Sequence, residues 1–201
     1  MSEQSQSFRA DVKKWIEDNF PSTLAGKNPA VVGYAAELEG DHDLWRQRLA
    51  DNGWGAPTWP KEYGGAGLGQ REERIITDEL SNANAFNPIP TIALMGVTMV
   101  GPTILDYGTE DQKKRHLVPI ARGEVTWCLG LSEPGAGSDL ASLRTRAVDN
   151  GDHYVINGSK IWTSGAHHSD WCGAVVRTDP EAKKRNGISF VLLPMNQEGV
   201  E

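Results

Sequence analysis

Two rhythms of apolar residues divide the chain. Over residues 5 to about 122 they recur at helical intervals: Phe8, Val12, Trp15 and Ile16 fall at i, i+4, i+7 and i+8, a stripe that one helix face can bury. Leu44, Trp45, Arg48 and Leu49 continue the theme until Asn52-Gly53, a pair that stops a helix. Similar runs occupy residues 72–80 and 89–106. Residues 111–121 predict a further helix, opened by "GTEDQ". There Thr109 can cap exposed amides, and Glu110 and Asp111 suit the positive end of the helix dipole. Four to six helices fit this region.

After Arg122-Gly123 the vocabulary changes to short β-type runs: "TWCLGL", "LRTRAV", "HYVI", "KIWTS", "WCGAVVRT" and "GISFVLLP". Two junctions are Asn-Gly pairs, Asn150-Gly151 and Asn157-Gly158, and Asn-Gly tolerates the left-handed backbone of a tight hairpin. The pattern predicts an α+β chain, all-α over residues 1–125 and an antiparallel sheet over 126–201.

Composition narrows the function. The chain has 201 residues, room for one or two domains with a real core. No apolar run approaches the roughly 20 residues that span a bilayer. Net charge is −7; residues 1–126 hold 13 basic against 18 acidic side chains, and the remainder 7 against 9. Neither part offers the basic surface that nucleic acid demands. The cluster Lys183-Lys184-Arg185, between Pro180 and Asn186-Gly187, reads as a solvated turn. Cys128 and Cys172, each inside an apolar stretch, suit buried free thiols in a reducing compartment. The first twenty residues lack a signal-peptide core and carry acids unlike a transit peptide, so the expected location is cytoplasmic.

The densest chemistry lies in "WCLGLSEPGAGSDL", residues 127–140. It is no dinucleotide fingerprint, because more strand follows the glycines where a helix is required. A hydrolase elbow needs G-x-S-x-G, and Gly130-Leu131-Ser132-Glu133-Pro134 has proline at its last position. His167 or His168 with Asp170 would complete a triad on paper. What the loop can do is present main-chain groups to a planar polar ligand: a strand end exposes N–H and C=O, Ser132 adds a hydroxyl, and Gly135 and Gly137 admit close approach. A loop whose Ser and Asp satisfy their own backbone is the competing explanation.

"CLGLSEPGAGSD" and "VINGSKIWTSGAHHSDW", preceded in order by "GWGAPTWPKEYGGAGLG" and "YGTEDQKKRHLVPIARGE", resemble the acyl-CoA dehydrogenase family over nearly the whole chain. The resemblance implies an N-terminal helical domain followed by an incomplete antiparallel β-barrel, FAD as cofactor, and an acyl-CoA thioester as substrate. It also implies an electron-transfer flavoprotein or similar acceptor, and a homo- or hetero-oligomer. It places main-chain groups of Leu129 and Leu131 and the Ser132 hydroxyl against the flavin pyrimidine. Trp162, Thr163 and Ser164 cover the opposite side and the N5 region, and Gly137 and Ser138 contact the pantetheine or the flavin edge.

The implied reaction removes the thioester α-proton with a carboxylate and passes the β-hydrogen to flavin N5, giving a trans-2-enoyl-CoA. No residue of this chain matches the family's glutamate base, so the 201 residues are expected to be the N-terminal part of a longer or split enzyme, inactive alone. A non-catalytic assembly subunit and a serine hydrolase acting through Ser132 are the alternatives. The adjacent His167 and His168 are expected to point apart and make no zinc site, and Glu133 reads as a loop acid.

Overall fold

In the computed structural model, which describes residues 3–27 and 39–201, the first stripe forms helix α1 (Glu3–Asn19) with Val12 and Ile16 buried. The second forms α2 (Asp41–Asp51), burying Trp45 and Leu49. It stops where predicted: Gly53 has φ of 70°, and a Cβ there would meet the Gly65 carbonyl carbon at 2.7 Å. Helix α3 (Gln70–Asn82) packs against α1. Arg9 of α1 bridges them, reaching Asp78 at 3.2 Å and bonding the buried Glu79.

The run 89–106 is not one helix. It divides into α4 (Ile89–Ile92), a five-residue π-turn over Gly96–Val100, and α5 (Gly101–Tyr107). Apolar spacing continues through the break, but Leu94 is left-handed with φ of 51°. The wide turn delivers Gly101 beneath Trp59, where a Cβ would lie 2.0 Å from the indole. Close packing has overridden local propensity.

Helix α6 (Glu110–Ala121) carries the predicted cap in full. Thr109 Oγ1 accepts from the Gln112 amide at 3.3 Å, and the Thr109 amide donates to Gln112 Oε1 at 2.9 Å, a reciprocal capping box. Thr109→Ala is expected to cost about 1 kcal/mol, measured as a lowered urea midpoint at unchanged slope; an unmoved midpoint would show that water caps this end as well.

The chain divides into two compact units, Met1–Thr126 and Trp127–Glu201. The second contains β1 (Trp127–Gly130), β2 (Arg146–Asp149), β3 (Tyr154–Asn157), β4 (Trp171–Arg177) and β5 (Ile188–Pro194). Here the structure corrects the expected incomplete antiparallel barrel: the sheet is mixed and open. Strand β1 runs parallel to β4 with Trp127 opposite Trp171 and Gly130 opposite Ala174. Strand β2 touches the same edge of β4 in parallel at Arg146 and Arg177. The other edge pairs antiparallel with β5 along all seven residues. Asn-Gly signals report only local hairpins; the β1–β4 pairing spans more than 40 residues and leaves no turn signature.

Of the two expected Asn-Gly hairpins one forms and one does not. Asn150-Gly151 does join β2 to β3, through a four-residue loop in which the Asn150 amide donates to the His153 carbonyl at 3.0 Å. Asn157-Gly158 makes no hairpin, because "KIWTS" is not a strand. Gly158 instead presses on Thr145, where a Cβ would stand 2.3 Å from the hydroxyl. The basic cluster lies exposed in the turn between β4 and β5.

One face of the sheet is dry. Cys128 and Cys172, both free thiols, stand opposite each other in the β1–β4 register and pack with Ala147, Ala174 and Val176. On the other face Trp127 stacks on Trp171, 5.5 Å between centroids. Among the described residues no helix is long and apolar enough to cross a membrane.

Candidate functional site

The end of β1 and the segment 160–164 meet. The Ile161 amide donates to the Ser132 carbonyl at 2.9 Å. One residue earlier, Lys160 Nζ donates to the Leu131 carbonyl at 3.1 Å and to Glu133 Oε1 at 2.9 Å. The Lys160 stem crosses β1 at Gly130, whose missing Cβ would lie 3.3 Å from it. A side chain at 130 would push this contact outward.

Glu133 is no solvated loop acid. It is 7% exposed and accepts from the Arg144 amide at 2.6 Å and the Thr145 amide at 2.9 Å as well as from Lys160. Burial alone would raise its pKa. The Thr145 side chain, the Arg144 amide, Lys160 and the Thr145 amide outweigh burial and hold the carboxyl down to about 2. Glu133 also closes the turn that follows, exchanging both main-chain bonds with Ala136 at 2.9 and 3.0 Å. This carboxylate was missed in the sequence; the usable signal was an acid next to Pro134 in a loop between β-runs, with an unexplained lysine ending the "NGSK" junction.

The predicted site residues fall into three groups. Leu129 lies in β1, half-buried, its side chain over Gly173. Leu131 and Ser132 follow at the strand end, half-buried, and the Leu131 carbonyl is already taken by Lys160. The second group is Trp162, Thr163 and Ser164. Trp162 is 87% exposed on a left-handed backbone with φ of 60°, a conformation that costs a bulky residue of order 1–3 kcal/mol. It is therefore not a strand tryptophan buried in a core. The Thr163 hydroxyl is buried with no hydrogen-bond partner, and the Ser164 amide donates to the Trp162 carbonyl at 3.1 Å.

Gly137 and Ser138 form the third group, exposed beyond the Glu133–Ala136 turn. Among the described residues no hydrogen bond ties them to either segment. Neither Gly135 nor Gly137 has positive φ, and a Cβ at either would touch nothing within 4 Å. The fold itself does not require glycine there.

A cavity of about 330 Å³ opens beside Glu133, walled by Pro134, Gly135, Ser142, Arg144 and Ser159 among others. None of the eight predicted site residues lines it. No helix follows Ser132, as the Glu133–Ala136 turn occupies its place, so a hydrolase elbow is absent. His167 and His168 do not point apart: they share one tight turn, with ring centroids 3.9 Å from each other. Among the described residues no three His, Cys, Asp or Glu side chains gather as metal ligands.

Comparison with known proteins agrees on both units. Residues 2–124 match the model of the acyl-CoA dehydrogenase N-terminal domain, and residues 128–201 that of the acyl-CoA dehydrogenase middle domain. Acyl-CoA dehydrogenase IpdE1 of Mycobacterium tuberculosis is 39% identical over 201 residues, covering 98% of this chain and 50% of that protein. Among solved structures, the Tcur3481-Tcur3483 steroid ACAD aligns with a TM-score of 0.72 at 39% identity, covering 99% of this chain and 50% of that one. The ChsE4-ChsE5 complex from Mycobacterium tuberculosis aligns with a TM-score of 0.71 at 36% identity, covering 99% and 49%. The chain thus spans about half the length of the relatives it matches. Two family models in register over almost every residue, on a fold shared with solved members, establish that the chain belongs to the acyl-CoA dehydrogenase family.

Proposed function

We propose that this chain supplies the helical domain and half of the flavin cradle of an FAD-dependent acyl-CoA dehydrogenase acting on a bulky acyl-CoA thioester. The observation that carries the reading is the Ile161-to-Ser132 hydrogen bond, reinforced by Lys160. It brings the strand end and the Trp162 segment into one surface, as a ring clamped between them requires.

The residues fit such a ring. Trp162 offers an uncovered aromatic face, Thr163 an orphaned buried hydroxyl, and Ser132 an amide and hydroxyl without partners among the described residues. Gly135 and Gly137 leave the approach free of side chains. FAD, when bound, supplies acceptance of the substrate's β-hydrogen. The chain's own residues orient the ring and supply main-chain donors at its polar edge, where a hydrogen bond to a charged group is worth about 1.5–3 kcal/mol. The steroid ACAD alignment supports a bulky substrate, and the paired names of both solved relatives support a heteromeric assembly. In this reading a residue outside these 201 supplies the carboxylate base, and a separate acceptor protein takes the electrons.

Adding FAD to the protein is expected to quench the emission component that Trp162→Phe removes. Trp162→Ala should weaken FAD binding by about two- to tenfold, the worth of one aromatic contact at about 0.5–1.5 kcal/mol. A chain kept only for assembly would show unchanged emission at saturating FAD.

A further inference from the structure

Lys160 has no substrate or cofactor contact in the reading above, yet its charge reaches the candidate cradle through a main-chain carbonyl. Its ammonium donates to the Leu131 carbonyl at 3.1 Å. That carbonyl and the Ser132 N–H belong to the same peptide unit. A cation on the carbonyl oxygen draws electron density away from the amide nitrogen and makes its N–H a stronger donor, because hydrogen bonds in a chain polarise one another. The Ser132 carbonyl, in the next peptide unit, is occupied by Ile161, so the strand end is fixed on both sides of this amide. The Ser132 amide itself has no partner among the described residues.

The lysine is held in place for this task. Its side chain is 14% exposed, and Glu133 fixes it at 2.9 Å while being fixed in turn by two amides. The ion pair is electrically balanced, so it attracts no anion by net charge. Its directed effect falls on the one peptide whose carbonyl it touches. Gly130 gives the stem its path across β1, and a Cβ at 3.3 Å would crowd it.

We infer that Lys160 is a positioning residue that polarises the Leu131–Ser132 peptide and strengthens the Ser132 amide as a donor to the bound ring, favouring the more negative, reduced form of the cofactor. This rests on the flavin reading for the identity of the acceptor, but the polarised peptide is a property of the chain itself.

The two parts are separated by two measurements. In the flavin-free protein, Lys160→Met is expected to move the Ser132 amide proton upfield, and Lys160→Arg to restore it. The double variant Lys160→Met with Glu133→Leu removes both charges without leaving a buried carboxylate unpaired, and should show the same upfield shift in a folded protein. An unmoved Ser132 resonance in both Met-containing variants overturns the inference. With cofactor, Lys160→Met should weaken reduced FAD about tenfold while oxidised FAD changes little, which for a two-electron couple is a fall of about 30 mV. Equal weakening of both forms shows a merely structural lysine and overturns the inference. If the wild-type protein binds neither form while its Ser132 shift still depends on Lys160, the flavin reading falls and the polarised peptide stands.

Discussion

Trp45→Ala is expected to lower the stability of the helical unit by on the order of 5 kcal/mol. Two effects add. Trp45 is fully buried among Trp15, Phe20 and Phe86, with ring centroids 5.7 Å from Trp15 and 5.0 Å from Phe20, and emptying such a site costs about 3–5 kcal/mol. Its indole N–H also donates to the Phe86 carbonyl at 2.7 Å in the interior, and stranding that acceptor costs about 1–3 kcal/mol more. A domain stable by about 5–15 kcal/mol loses much of its margin.

Trp45→Phe separates the two effects, since it keeps most of the ring but removes the donor. Its expected loss is about 1–3 kcal/mol. Urea unfolding followed by far-UV circular dichroism reads both variants. If Trp45→Ala falls within 1 kcal/mol of wild type, the cluster collapses onto the gap and the indole is not the keystone of this core.

That core was legible because helical periodicity is a local record of burial. Phe8, Val12, Trp15 and Ile16 announce α1 by spacing alone, and Thr109 announces α6 by the chemistry of a cap. Leu94 was not legible. Its side chain keeps the apolar rhythm while its backbone turns left-handed, and only the packing of Trp59 on Gly101, 42 residues apart in sequence, accounts for the break. In the second unit, residue type identified five of the six β-runs. It gave pairing partners only for neighbours joined by a turn, so the parallel β1–β4 ladder was invisible. Trp162 misled for a related reason: an aromatic beside Ile161 reads as strand, whereas Gly158 pressing on Thr145 and the Lys160 bridge pull the segment out of the sheet. The Ser132 end of the candidate site was visible as a motif. The Glu133–Lys160 ion pair that joins its halves depends on two residues 27 apart, which no spacing rule connects.

Glu133→Ala is expected to cost the β unit about 3–5 kcal/mol, the range for removing one partner of a buried ion pair. It leaves the Lys160 ammonium and the Arg144 and Thr145 amides without the acceptor that satisfies all three. The same contacts set a pH dependence whose sign follows from the direction of the shift. An unfolded glutamate titrates near pH 4.3, whereas the folded carboxyl is held down to about 2. The folded state therefore binds fewer protons between these values, and its extra stability is complete above the unfolded pKa. As pH falls from about 5 toward 2 that contribution, about 2–3 kcal/mol, is lost. Unfolding free energies of wild type and Glu133→Ala, measured by urea titration at pH 7, 5 and 3, should differ most at pH 7 and converge in acid. Parallel curves would mean that ionisation of the carboxylate exerts no net hold on the loop, leaving the Ile161-to-Ser132 and Lys160-to-Leu131 hydrogen bonds as the ties between the Ser132 and Trp162 segments.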